Sequence, residues 1–266
     1  QKTNIQALQK DLERLFRKAP QGPSRYLWKG LSVAVLFKRL GYTIRQDRRD
    51  LREKLFDDID RESPDHLVVT GDLTNTALPW EWEEARRRLR AFLKDDSLSL
   101  IPGNHDVPVF PQEGAPMAKA FPEVFPPYCT LKGKDLALIG LNSTLSSSDI
   151  VWDPAVLVNN SRGRVDGDQI AFLSQALSHP EIRRRQVVVL LHHHVVNILP
   201  RRKDLLGRIG EFFLGPLLNA SQVLKVLSQK RNIFVLHGHR HVPHIQEING
   251  KRGKLIVLGT GSALHP

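Results

Sequence analysis

Six residues of the chain combine metal-binding or proton-transferring chemistry with a recurring position. Asp72, Asn104, His105, His192, His239 and His241 each stand just after a short apolar run. His66–Thr70 leads into Gly71-Asp72, and Ser97–Ile101 into Pro102-Gly103-Asn104-His105-Asp106. Gln186–Leu191 leads into His192-His193-His194, and Asn232–Leu236 into His237-Gly238-His239-Arg240-His241. Oxygen and imidazole ligands without sulfur suit zinc, manganese, iron or cobalt. A carboxylate such as Asp72 has two oxygens and can bridge two ions. Two such ions, about 3.5–4 Å apart, clamp a phosphoryl group and acidify water between them, which is the chemistry of phosphate-ester hydrolysis. His105 suits a general acid or charge stabiliser, with Asp106 expected to hydrogen-bond it and fix its tautomer.

Each motif alone has a plainer reading. Gly-Asp after a strand is common, Asn in the tetrad could serve a left-handed turn, three histidines could form a surface cluster, and Gly-His-Arg-His could be a polar hairpin turn. Four coincidences in chain order are harder to sustain. Open α/β sheets place ligand sites at the carboxyl ends of strands, so separate strand ends can converge on one crevice.

The elements that must position these residues alternate. The apolar runs read as buried strands, joined by a fifth at Leu136–Leu141 that leads into Asn142-Ser143. Helical stretches are expected at 47–62, 80–94, 168–178 and 219–230. Two more amphipathic patterns occupy 4–18 and 26–40. Proline-dense 107–127 and serine- and asparagine-rich 142–165 read as loops. Strands alternating with helices indicate an α/β layered fold in one domain over 1–266.

Composition narrows the function classes. The 266 residues are 41% hydrophobic, enough for one sizeable core. A single cysteine, Cys129, excludes an intrachain disulfide or a cysteine metal cage and fits a reducing, cytoplasmic setting. The net charge of +11 attracts anions, phosphorylated small molecules among them. Aromatic residues are 7% and do not interleave with the basic clusters, which argues against a stacking groove for nucleic acid. The basic triplets at 86–88, 183–185 and 201–203 read as solvated faces. No apolar run approaches the ~20 residues of a membrane span. Residues 20–45 are expected to form a helical cap over the site, to pack on the core, or to form an insertion that touches an anionic membrane from its inner face.

On these residues the chain resembles the calcineurin-like metallophosphoesterase superfamily. The superfamily's motifs stand here as Gly71-Asp72, Gly103 to Asp106, His192, and Gly238 to His241. The wording of Leu67–Asn75, Ile101–Asp106, Val235–His241 and the stretch 163–173 resembles its bacterial cyclic-nucleotide phosphodiesterase branch. The resemblance covers roughly 50–262. It implies a β-sandwich of two mixed sheets flanked by helices in αββα layers, and two divalent metal ions. Asp72 would bridge them, Asn104, His192 and His239 would complete one site, His241 would serve the other, and His105 would assist leaving-group departure. His193 is the next candidate to His192. His194 is expected to be an outer or solvent-facing residue, and His237 structural.

The resemblance also implies an opening strand ending in Asp-x-His, and no Asp-x-His occurs in the chain. Either the chain begins just after that motif or the protein lacks it. The first is the expectation, because the other ligands are present. Three functions remain open: a phosphomonoesterase or phosphodiesterase acting on small molecules such as cyclic nucleotides, a nucleotide-linked lipid pyrophosphatase at a membrane surface, and a non-catalytic scaffold. Metal content separates the scaffold from the enzymes.

Overall fold

The computed structural model describes residues 46–107, 116–145, 162–198 and 216–261. The expected helices at 4–18 and 26–40, the segment 20–45 and the triplet 201–203 lie outside the described residues.

The described residues begin with helix α1 (Gln46–Glu62), followed by β1 (Leu67–Val69), α2 (Pro79–Arg88), α3 (Arg90–Lys94) and β2 (Leu98–Leu100). Helix α4 (Pro116–Ala120) precedes the strands β3 (Tyr128–Lys132) and β4 (Leu136–Gly140). Helices α5 (Gly167–Ser178) and α6 (Pro180–Arg183) lead to β5 (Gln186–Leu191). Helix α7 (Ala220–Leu227) leads to β6 (Ile233–His237), then β7 (His244–Asn249) and β8 (Lys254–Gly259).

Two sheets result. β1 and β2 form a parallel pair, the whole of the smaller sheet among the described residues. The larger sheet is mixed, in the order β3-β4-β5-β6-β8-β7, with antiparallel strands at both edges. Its four inner strands run parallel. They are apolar because helices cover them: Leu173, Leu177, Val223 and Leu227 from α5 and α7 pack on Ile139, Val187, Val189, Val235 and Val257. Asp166 caps α5, its side chain accepting from the Gln169 N–H. A second core joins Trp82, Ala85 and Leu89 of the α2 region to Leu98 and Leu100 of β2 and to Met117 and Phe121. Tyr128 of the larger sheet donates its hydroxyl to the Leu100 carbonyl of the smaller one, 3.3 Å away. The layers are therefore helix, sheet, sheet, helix, as the resemblance implies.

Three differences from the sequence reading have physical causes. The stretch 107–127 is not all surface loop. Pro116 and Pro122 each begin a helical turn, a position that suits proline, and the turns bury Met117 and Phe121. β3, β7 and β8 were not expected: β3 and β7 are edge strands, which need no continuous apolar run, with Ile245, Gln246 and Glu247 of β7 exposed, and the inner strand β8 is only a short apolar run at 255–258 between basic and glycine-rich flanks. The triplet 86–88 is not merely solvated. Arg86 pairs with Glu123 at 2.7 Å, Arg87 and Arg88 with Glu84 at 2.7 and 2.9 Å, and Arg88 also with Glu53.

Candidate metal centre

The carboxyl ends of β1, β2, β5 and β6 meet at one place, and each delivers a residue expected from the sequence. Thr70 follows β1, and its carbonyl lies 2.8 Å from His192 Nδ1. A carbonyl can only accept, so His192 carries its proton on Nδ1 and presents a bare Nε2 inward. That Nε2 lies 3.1 Å from Asn104 Oδ1 and 3.5 Å from Asp72 Oδ2. His239 Nδ1 lies 3.0 Å from the same Asn104 oxygen. The His239 Nε2 is buried without a hydrogen-bond partner. Lone-pair atoms of Asp72, Asn104 and His192 thus face one another, His239 beside them leaves its Nε2 without a hydrogen bond, and a cation is what relieves such crowding.

His193 joins this group. Ligand atoms of His192, His193 and His239 lie within 4.8 Å of one another, the one such cluster of three among the described residues. The His193 ring is held by the Ser143 hydroxyl, 2.9 Å from Nδ1. Of the two places expected for His194, outer to the ligands or solvent-facing, burial excludes the second: it is fully buried, and neither ring nitrogen has a hydrogen-bond partner. The strand turns back into the protein after His192, with Val195 and Val196 also buried.

Electrostatics favour ligand-ready forms. Burial pushes the Asp72 carboxyl up, but His192, His105 and His239, with the His105 backbone N–H, bring it down to about 2. Burial, then the neighbouring His193 and His192, holds His239 well below the usual imidazole range, leaving it neutral. The backbone is strained at the same residues: Asp72, His239 and His241 have φ of +56°, +67° and +55°. Each such non-glycine residue costs of order 1–3 kcal/mol, a cost that clusters at functional sites. Gly103 allows the close approach, since a Cβ there would sit 2.2 Å from Asp72 Oδ1 and 2.7 Å from His192 Cε1.

Asp106 does not do what the sequence suggested. The His105 Nδ1 instead faces Asn75, at 3.2 Å from its carbonyl and 3.1 Å from its side-chain oxygen. Asp106 is buried and accepts from the N–H groups of Thr74, Gly103 and Leu73 at 2.7, 2.9 and 3.2 Å, and from the Thr74 hydroxyl at 2.8 Å. It ties the loop carrying Asp72 to the loop carrying Asn104. Burial and the adjacent Asp72 charge raise its carboxyl to about 6, so it is ionised at neutral pH. Asn75, Ser143 and the Thr70 carbonyl are thus positioning groups that sequence reasoning missed. Asn75 and Ser143 lay within sequence stretches already noted, but nothing local showed what they would touch.

The four donors Asp72, Asn104, His192 and His239 fit one divalent transition ion. His241 is exposed, two residues beyond His239 in the same loop.

A dimetal phosphatase from Danio rerio shares the fold, with a TM-score of 0.53 at 14% identity over 81% of this chain and 78% of that one. The glycerophosphodiester phosphodiesterase GpdQ of Enterobacter lignolyticus (strain SCF1) is 30% identical over 118 residues, 44% of this chain. The aligned stretch is 38% of the length of that relative. Residues 45–243 match the family described as calcineurin-like phosphoesterase, and the chain belongs to that family.

Proposed function

We propose that the protein is a metal-dependent hydrolase of small phosphate esters, with phosphodiesters, cyclic nucleotides among them, as the substrate class. One observation carries the reading: potential ligand atoms of Asp72, Asn104, His192 and His239 converge from separate strand ends. The similarity to a glycerophosphodiester phosphodiesterase supports a diester substrate.

In this proposal Asp72, Asn104, His192 and His239 hold one divalent ion, and Asp72 with His241 contributes to a second. Manganese, iron, zinc and cobalt all suit the donor set. Bound there, the ions neutralise phosphate charge and make water nucleophilic near neutral pH. The chain's own groups do the rest. The Thr70 carbonyl fixes the His192 tautomer, and Asn75 holds His105 by Nδ1. So held, His105 serves as the acid for the leaving oxygen, its protonated ring giving up a proton. Asp106 keeps the Asp72 and Asn104 loops in register.

The test is turnover of bis-p-nitrophenyl phosphate by the metal-stripped protein, without metal and with manganese, iron, zinc or cobalt added. Manganese-dependent hydrolysis that Asp72→Asn lowers at least 100-fold is the expected result. No turnover with any of the four metals overturns the hydrolase reading and favours a scaffold.

A further inference from the structure

A second group of histidines lies beyond the strand-end centre, and its hydrogen-bond bookkeeping does not close. His237 ends β6 and His244 begins β7, with β8 between them. Both are register partners of one residue, Gly259 of β8. Partners of the same residue project to the same face of a sheet, so the two side chains flank Gly259 side by side. The glycine leaves the space in which they meet. A Cβ at Gly259 would lie 2.3 Å from two atoms of the His244 ring.

The rings meet nitrogen to nitrogen, with His237 Nε2 and His244 Nε2 3.2 Å apart. Their other nitrogens face carbonyl oxygens: His237 Nδ1 lies 3.1 Å from Gly238 O, and His244 Nδ1 lies 3.1 Å from Val242 O. A carbonyl cannot donate, so each Nδ1 carries the ring's proton. Both Nε2 atoms then present lone pairs to each other. Two imidazole nitrogens bound to one tetrahedral zinc at 2.0–2.1 Å stand roughly 3.3 Å apart, which is the separation found here.

A third imidazole strengthens the case. The His194 ring lies 5.9 Å from that of His237, fully buried, with neither nitrogen hydrogen-bonded. The neighbourhood is therefore rich in unshared nitrogen lone pairs and poor in protons. His237 is buried, while His244 is half-buried on the edge strand, where an ion can enter.

We propose that His237 and His244 form a separate metal site that takes a zinc-class divalent ion between their Nε2 atoms. None of the four strand-end donors belongs to it. The ion would clip together the two ends of the loop 238–243. That loop carries His239 and His241 in left-handed conformations, so the clip would hold a strained segment closed from outside the reacting centre.

Zinc per chain, measured after equilibrium dialysis against a buffered micromolar zinc solution, tests this. The wild type is compared with His244→Gln, and Asp72→Asn with the double variant. His244→Gln is expected to lower the count by one ion in both backgrounds, while Asp72→Asn lowers it independently at the strand-end centre. Equal counts with and without His244→Gln in both backgrounds overturn the proposal and leave a proton-sharing imidazole pair. A second measurement needs no variant: zinc should protect His244 of the wild type from diethylpyrocarbonate, read by peptide mass spectrometry. Unchanged labelling of His244 at saturating zinc also overturns it. Neither readout requires turnover, so failure here leaves the hydrolase reading standing.

Discussion

Replacing Asp106 with alanine separates two accounts of that residue. Its side chain is 2% exposed and accepts four hydrogen bonds, three from backbone N–H groups and one from the Thr74 hydroxyl. Alanine removes every acceptor and leaves the donors. The Thr74 hydroxyl has a second acceptor, the His105 carbonyl at 3.4 Å. The N–H groups of Leu73, Thr74 and Gly103 lose this acceptor. A buried orphan donor costs about 1–3 kcal/mol, and water entering the vacated space recovers part of that. The expected loss is about 3–5 kcal/mol, or roughly 6–20 °C in Tm for a protein of this size. Asp106→Asn keeps one acceptor oxygen and should fall between the two.

The assay is urea denaturation with linear extrapolation, carried out in chelator so that metal binding does not contribute. Metal affinity should fall together with stability, because the carboxylate joins the Asp72 and Asn104 loops. An Asp106→Ala protein that loses turnover at unchanged stability and metal affinity would refute this reasoning. It would return Asp106 to the role suggested by the sequence, acting through His105.

Two further outcomes follow from the geometry. Gly103→Ala places a methyl 2.2 Å from Asp72 Oδ1 and should weaken manganese binding at least 10-fold by isothermal titration calorimetry, with the far-UV circular dichroism of the wild type retained; undiminished affinity would contradict the close approach. Glu84 is held down to about 2, chiefly by its hydrogen bond to Arg87, which outweighs burial, with Arg88 assisting. A depressed carboxyl stabilises the fold above its unfolded value near 4.3 and loses that contribution as pH falls towards 2. The group is largely solvent-screened, so Glu84→Gln should lower stability at pH 7 by less than about 1 kcal/mol and flatten the acid limb of the pH–stability curve.

The sequence by itself determined which residues end which strands. Apolar runs at 66–70, 97–101, 186–191 and 232–236 became β1, β2, β5 and β6, because a strand covered on both faces must be apolar along its length. Asp72, Asn104, His192 and His239 were legible for the same reason, since each directly follows such a run. Tertiary structure decided everything that depends on a partner distant in the chain. Asp106 turned to Thr74, 32 residues away, rather than to its neighbour His105. Asn75 reached His105, Ser143 reached His193, and Glu53 reached Arg88 across similar separations. His194 became buried because its segment packs into the larger core, with Val195 and Val196 beside it and the Leu217 N–H on its carbonyl, and His237 met His244 only because β8 lies between their strands with a glycine at the shared register. Hydrophobic pattern reports how one segment meets the core. Which polar groups face one another is set by strand order and register, which no single segment encodes.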